Sequence, residues 1–327
     1  MINNRPDERD SLFAAETLFT QLQAMLKETS GVRLADDPEC LHRMRVASRR
    51  LRASMDLFGD FVPKKMPAGW MKLIRRVTKT LGAARDLDVQ ILALQEIDAR
   101  VPEARFHAGI ERLLLRLRQQ RAQQQRRVTQ VLDELEHGNP IRLMEETLRR
   151  WRTTDVPEPP AGFSPELLAH AEAAISGRLR DMQSYEVYIA DPTQVANLHA
   201  MRIAAKRLRY SLQLLTPVFA EKPQDAITAA RNIQDMLGDI HDCDVWVTML
   251  PRFMEDERRR MLAYAGHTRG FARLQRGLDY LAEERSHFRA QRYAEFLDYW
   301  RKLKRQKIWE ALRQMLLGQP DETGSDA

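Results

Sequence analysis

The chain has 327 residues and 43% apolar content, enough for one large domain or two smaller ones with a substantial buried core. Its 52 lysines and arginines against 46 acidic residues give a formal charge of only +6, so any anion-binding role depends on where the cations cluster. The first ten residues are polar and no run of about 18 apolar residues occurs, so the sequence predicts no signal peptide, no membrane span and no membrane partner.

Cysteine is rare. Cys40 and Cys243 are the only two in the sequence, which argues against a disulfide scaffold. We therefore predict free thiols and a cytoplasmic location, where thiols stay reduced.

Apolar residues recur at spacings of three and four along most of the chain, and alternating β-branched runs are absent. This pattern predicts an all-α protein. The predicted helices cover 7–29, 38–59, 66–82, 86–99, 103–137, 140–152, 164–186, 192–217, 223–238, 242–255, 257–288 and 290–317.

A segment rich in proline and glycine, 153–163, interrupts the helical pattern near the midpoint and predicts a linker. It would separate a first bundle, residues 1–152, from a second, residues 164–317. After it, Ser164 and Pro165 predict a helix start, with serine as the cap. The polar residues 318–327 are predicted to be a disordered tail.

The two halves contain the same two motifs. Residues 41–52, LHRMRVASRRLR, correspond to residues 198–209, LHAMRIAAKRLR, at an offset of 157. Residues 81–89, LGAARDLDV, correspond to residues 237–245, LGDIHDCDV, at an offset of 156. Two matches at nearly the same offset predict two helical bundles of one plan, related by a pseudo-twofold axis.

Each first motif places four basic residues on one side of a helix, within an arc of about 80° at 100° per residue. The first cation set is His42, Arg45, Arg49 and Arg52, and the second cation set is His199, Arg202, Lys206 and Arg209. Methionines and leucines, including Met44 and Met201, fall on a separate apolar face that we predict to be core. Like charges at these spacings repel, so a compensating anion is expected, and arginine and lysine suit phosphate.

The compensating anion could be part of the protein. Four duplicated acids are the obvious internal partners: Asp86, Asp88, Asp242 and Asp244. Asp86 and Asp242 also stand where a helix could begin after a glycine, which suggests N-caps. From spacing alone, ligand binding and internal neutralisation are about equally supported.

The doubled motif resembles the CHAD family, the conserved histidine α-helical domain. The resemblance extends from about residue 7 to about residue 317. It implies two four-helix bundles whose basic helices line a central channel or groove. Members bind inorganic polyphosphate and can localise to polyphosphate granules in bacteria, so the resemblance implies the same ligand here.

By position, the family resemblance implies polyphosphate contacts from both cation sets, with Arg75 and Arg231 extending the surface. The Glu-x-Glu-x-Lys motif of the catalytic domain that some members carry is absent, so we predict a binding protein rather than an enzyme. No cofactor or metal is predicted, and the oligomeric state is not predicted.

Two alternative functions are nucleic-acid backbone binding and a helical protein-interaction scaffold. Tyr210 is the one aromatic residue beside either cation set, whereas single-strand binders usually interleave several. His241 and Asp242 resemble the metal-binding pair of helical phosphohydrolases, but Arg85 stands at the equivalent place in the first half. A further basic run on residues 112–127 is predicted to be a solvated face.

Overall fold

The computed structural model describes residues 7–62, 64–152 and 162–318, and the regular structure within these ranges is entirely helical. This confirms the predicted all-α fold. The α-helices are α1 (Glu8–Leu26), α2 (Thr29–Leu34), α3 (Pro38–Phe58), α4 (Ala68–Asp98), α5 (Ala104–His137), α6 (Asn139–Arg152), α7 (Pro165–Gln183), α8 (Val195–Leu215), α9 (Gln224–Ala265), α10 (Phe271–Arg305) and α11 (Ile308–Leu316). Most of the predicted linker and tail, 153–161 and 319–327, lies outside the described residues.

Local sequence signals set several helix starts. Asp37 precedes α3 and its carboxylate accepts a hydrogen bond from the Glu39 backbone N–H at 2.9 Å. The hydroxyl of Ser164 accepts one from the Leu167 N–H at 3.1 Å, and α7 begins at Pro165. The predicted helix start at Ser164 is confirmed.

Three predicted interruptions are wrong because α4 and α9 are continuous. Residues 83–85 lie inside α4, and residues 239–241 and 256 lie inside the 42-residue α9. Asp86 and Asp242 are therefore interior residues, and the N-cap role is excluded for both. A glycine inside a helix costs only about 1 kcal/mol relative to alanine, so Gly82 and Gly238 do not end their helices.

A break that the apolar pattern does not predict falls within the predicted helix 257–288. α9 ends at Gly266 with φ of 71°, and α10 begins after Gly270 with φ of 87°. Both glycines adopt the left-handed conformation that favours this residue, which closes a tight turn between two long helices. No break occurs at residue 289, where one was expected; α10 continues to Arg305.

The chain forms two compact units, each assembled from separate segments. Unit 1 comprises Met1–Val89, Gln119–Ala174 and Gln213–Ala220, and unit 2 comprises Gln90–Arg118, Ile175–Leu212 and Glu221–Ala327. The predicted boundary between two pseudo-symmetric four-helix bundles, and the channel between them, stay predictions.

In unit 1, α1 packs against α3 and α6, and α2 packs against α3. The core includes fully buried side chains such as Leu22 and Met25 of α1 and Met44 and Phe58 of α3. Each such side chain contributes about 1.5–3 kcal/mol by leaving water. This packing holds one side of α3 inward and fixes which residues the other side presents.

In unit 2, α9 packs along α10, and α11 packs against both. α5 and α10 touch through their backbones at Gly109 and Gly277. A Cβ on Gly109 would lie 2.1 Å from the Leu274 carbonyl oxygen, and a Cβ on Gly277 would lie 2.0 Å from the Phe106 carbonyl oxygen. No helix in the described ranges is long and apolar enough to cross a membrane.

Candidate functional site

α3 presents the first cation set beside a buried apolar face. Met44 and Leu51 are fully buried, which confirms the predicted core face, while all four members of the cation set are half-buried. Arg43 and Arg50 are exposed on the other side of the helix. Arg43 is bound there to Glu28, with its Nη2 2.9 Å from the carboxylate, so it does not belong to the set.

Arg45 of the first cation set lies across α4 at the glycine of the second motif. A Cβ on Gly82 would lie 3.7 Å from the Arg45 Nε, which is an ordinary contact distance, so the guanidinium group packs beside this glycine. The Nη2 of Arg45 is 3.5 Å from the Asp86 carboxylate, whose side chain is 70% exposed. Because solvent screens such an exposed acid, Asp86 neutralises Arg45 only weakly.

His42 lies near Arg85, a basic residue of α4. The Nη2 of Arg85 is 3.4 Å from Glu39, and the Arg85 side chain is 14% exposed. Burial lowers the pKa of His42, and the positive charges of Arg85 and Arg45 lower it further. Among the described residues, neither the His42 Nδ1 nor the Arg85 Nη1 has a hydrogen-bond partner, although both atoms are buried.

Asp88 is bonded to α5 and not to the first cation set. The Arg121 Nε lies 2.6 Å from the Asp88 carboxylate, and the Arg121 Nη1 donates to the Gln125 side chain at 2.8 Å. Burial raises the pKa of Asp88, and the positive charge of Arg121 opposes that rise. Arg121 was predicted to lie on a solvated face; that prediction is wrong for this residue.

α8 repeats the arrangement in unit 2. Met201 and Leu208 are fully buried, as predicted, and the second cation set is half-buried beside them. A Cβ on Gly238 would lie only 3.3 Å from the Arg202 Nε, so Arg202 crosses α9 as Arg45 crosses α4. The buried Nε atoms of Arg202 and Arg209 have no hydrogen-bond partner within the described part of the chain.

His199 faces His241 of α9, with ring centroids 4.0 Å apart. Burial, the neighbouring His199 and the Arg202 charge lower the pKa of His241 to about 4. Burial also lowers the pKa of His199, as do Arg202 and Lys206. Both imidazoles are therefore neutral near pH 7, and their buried Nδ1 atoms lack partners among the described residues.

Asp244 repeats the relationship of Asp88. Its carboxylate lies 2.5 Å from the Arg289 Nε of α10, and the Arg289 Nη2 donates to the Pro192 carbonyl at 2.8 Å. The last aspartate of each second motif, Asp88 or Asp244, is thus paired with an arginine of the next long helix in the chain. Neither arginine is among the residues predicted from the sequence to belong to the site, although the duplicated Asp-x-Asp motif indicates that each motif needs a cationic partner.

Arg75 and Arg231 are exposed on α4 and α9. Neither forms an ion pair with another described residue, and their predicted place on the ligand surface stays a prediction. Within the described ranges no group of three histidine, cysteine or acidic residues is arranged to hold a metal ion. Cys40 and Cys243 are free thiols, as predicted.

These observations describe an all-helical protein in which two matched helices each hold partly buried cations against a neighbouring helix. The family model of the CHAD domain matches residues 16–251, so the chain belongs to the CHAD domain family. The family resemblance seen in the sequence is thereby confirmed.

Two solved structures share the fold. The crystal structure of the CHAD domain from the plant Ricinus communis is similar at a TM-score of 0.60 and 22% identity, over 91% of this chain and 92% of that chain. PptA from Streptomyces chartreusis is similar at a TM-score of 0.55 and 14% identity, over 90% of this chain and 99% of that chain. No curated protein matches the sequence.

Proposed function

We propose that this protein binds inorganic polyphosphate through the first and second cation sets, as a binding protein rather than an enzyme. The CHAD domain family binds polyphosphate-related ligands in general, which supports this choice of ligand. In the proposal, unit 1 provides the first cation set and unit 2 provides the second. Arg75 and Arg231 would add exposed charge on α4 and α9 respectively.

The observation that carries the proposal is the presence of buried donors without partners. Those among the described residues include Arg85 Nη1, Arg202 Nε and Arg209 Nε. A buried donor that is left unsatisfied costs about 1–3 kcal/mol, so a fold that holds several of them in and beside the cation sets favours an anion that bonds to them. Phosphate oxygens are acceptors only and match arginine donors well.

Internal neutralisation accounts poorly for the same residues. Asp88 and Asp244 are engaged by Arg121 and Arg289, and Asp86 reaches Arg45 only from an exposed position. Asp88 and Asp244 are therefore not available to neutralise the cation sets. Polyphosphate would supply negative charge to both sets and would release its counterions on binding, which makes the affinity strongly dependent on salt.

The helices themselves offer a matched experiment. Arg49→Gln/Lys206→Gln removes one charge from each cation set, while Arg50→Gln/Arg207→Gln removes two exposed charges from the adjacent positions of the same helices. We expect the first variant to lose at least tenfold in polyphosphate affinity at moderate salt and the second to lose less than twofold. Both should retain the helical circular dichroism of the unaltered protein. Equal losses in both variants would contradict the site.

In cells, the proposal predicts that the protein localises to polyphosphate granules. A fluorescent fusion of the full chain should concentrate on granules in cells that accumulate polyphosphate, and the Arg49→Gln/Lys206→Gln fusion should be diffuse. A fusion that stays on granules despite the double substitution would separate granule targeting from the cation sets.

A further inference from the structure

The end of the α9–α10 hairpin, residues 252–276, is a second basic surface of unit 2. We call it the hairpin end. It lies beyond residue 251, where the match to the family model stops. The hairpin end closes through Gly266 and Gly270, both with positive φ, so its apex is a short turn between two long helices.

The hairpin end is strongly basic. It holds seven arginines against three acidic residues, so it carries +4 of the chain's formal charge of +6. All three acids are already paired: Glu255 and Asp256 with Arg259, and Glu257 with Arg260. The remaining five arginines are exposed, and their side chains form no hydrogen bond or ion pair with other described residues: Arg252, Arg258, Arg269, Arg273 and Arg276.

The hairpin end also carries an exposed aromatic side chain. Tyr264 in the last turn of α9 is 97% exposed, and Leu262 beside it is 55% exposed. Exposed cations close to an exposed aromatic ring are the combination that single-stranded nucleic acids recognise, because the phosphates meet the arginines and a base can stack on the ring. Neither cation set has a comparably exposed ring.

We propose that the hairpin end binds single-stranded nucleic acid, with its phosphates on the unpaired arginines and a base stacked on Tyr264. A polyphosphate chain would satisfy the same charges, but it has no ring to cover Tyr264. Binding to an anionic membrane would insert the apex of the hairpin most deeply. The apex turn carries His267 and Arg269 instead of apolar residues, which disfavours such insertion. This site is independent of the polyphosphate site, so either proposal can fail alone.

The test is the binding of a fluorescent 20-nucleotide oligo(dT) or oligo(U) to the full chain, followed by anisotropy. We expect Arg258→Gln/Arg269→Gln/Arg273→Gln to lose at least tenfold in affinity and to reduce the salt slope by about 2. Tyr264→Ala should lose about fivefold or more, and Tyr264→Phe, which keeps the ring, should bind like the unaltered protein. The two oligonucleotides distinguish DNA from RNA.

A control with the same charge change is available at the opposite end of α10. Arg301→Gln/Lys302→Gln/Arg305→Gln removes three exposed cations there, and it should leave oligonucleotide affinity within twofold. Arg49→Gln/Lys206→Gln should also leave oligonucleotide affinity unchanged, and the hairpin-end triple variant should keep its polyphosphate affinity. Equal oligonucleotide losses in the two triple variants would overturn the proposal. So would binding to vesicles containing phosphatidylserine that depends on these arginines while oligonucleotide binding does not.

Discussion

Arg202 and Gly238 lie so close that an alanine at residue 238 would place its Cβ 3.3 Å from the Arg202 Nε. The equivalent distance between Gly82 and the Arg45 Nε is 3.7 Å. Gly238 therefore lets the Arg202 guanidinium group pass across α9, whereas a side chain at Gly82 would leave room for Arg45. The first distance is tighter than an ordinary contact, and the second is an ordinary van der Waals separation.

Gly238→Ala is therefore expected to displace Arg202 and to lower polyphosphate affinity by about three- to tenfold. The helix itself should not suffer, since alanine is the better helix former by about 1 kcal/mol. Isothermal titration calorimetry of polyphosphate binding and thermal unfolding measure the two effects separately.

Gly82→Ala is the matched control, because the same methyl group there meets Arg45 at an ordinary distance. It should change affinity less than twofold and leave the melting temperature equal or slightly higher. If Gly238→Ala and Gly82→Ala have the same affinity, the crossing of Arg202 over α9 is not a determinant of binding.

The same glycines show what the sequence could predict of the fold. Apolar periodicity predicted the helical class and most helices, because buried residues such as Met44 and Met201 recur at helical spacing. It placed false interruptions after Gly82 and Gly238, because local propensity does not record that another helix supplies an arginine there. It missed the true turn at Gly266 and Gly270, because the apolar pattern shows no clear interruption there.

His241 makes the stability of unit 2 depend on pH. Its folded pKa of about 4 is below its ordinary value of 6.5, because burial and the charges of its neighbours disfavour the imidazolium. The unfolded chain therefore binds more protons between these two values. Above pH 6.5 His241 is neutral in both the folded and the unfolded chain. As the pH drops from 6.5 towards 4, the free energy of unfolding falls by on the order of 2 kcal/mol.

The measurement is the melting temperature between pH 4 and pH 8 for the unaltered protein and for His241→Gln. The variant should lose less stability on acidification, since residue 241 can no longer take up a proton. His287→Gln changes an exposed histidine of the same unit and should follow the unaltered curve. A curve for His241→Gln that is parallel to the unaltered one would exclude His241 as the source of the acid sensitivity.

A constant repeat offset does not predict which arginines pair with Asp88 and Asp244. Asp244 follows Asp88 by 156 residues, whereas its partner Arg289 follows Arg121 by 168. The second hairpin is longer, and extra residues inserted at a hairpin end shift the returning helix in sequence without changing which residues pair. Three-dimensional packing was therefore needed to match Arg289 with Arg121.

Replacing the acid should affect different properties at the two positions: stability at Asp88 and polyphosphate affinity at Asp86. Asp88→Asn leaves the half-buried Arg121 with a neutral partner and should lower the free energy of unfolding by about 2 kcal/mol with little change in polyphosphate affinity. Asp86→Asn removes an exposed acid 3.5 Å from Arg45 and should raise affinity two- to fivefold with a stability change below about 0.5 kcal/mol. Urea unfolding and titration calorimetry on both variants would separate a structural acid from one that competes with the ligand. A gain in affinity for Asp88→Asn of the same size as for Asp86→Asn would mean that both acids neutralise the first cation set.

Glu257 is the acid on which α5 depends for its contact with α9 in unit 2. Its side chain is 2% exposed, and its carboxylate lies 2.7 Å from the Arg116 Nε and 2.5 Å from the Arg260 Nη1. Arg116 was expected on a solvated face, and this pairing corrects that expectation. Burial raises the pKa of Glu257, but the bonds from Arg116 and Arg260 outweigh it, so the folded pKa is below the ordinary value of 4.5.

Glu257→Gln should therefore lower the free energy of unfolding at pH 7 by about 3 kcal/mol, because two arginines lose their buried counter-charge. Since the folded pKa is depressed, the contribution of Glu257 is present above pH 4.5 and is lost as the pH falls below that value, so the difference from the unaltered protein should shrink in acid. Glu255→Gln, at an exposed acid on the same turn of α9, should change stability by less than about 0.5 kcal/mol. Equal stability of the two variants at pH 7 would show that the Glu257 cluster contributes no more than a surface ion pair, and that other contacts, such as the close crossing of α5 with α10 at Gly109 and Gly277, hold α5 in unit 2.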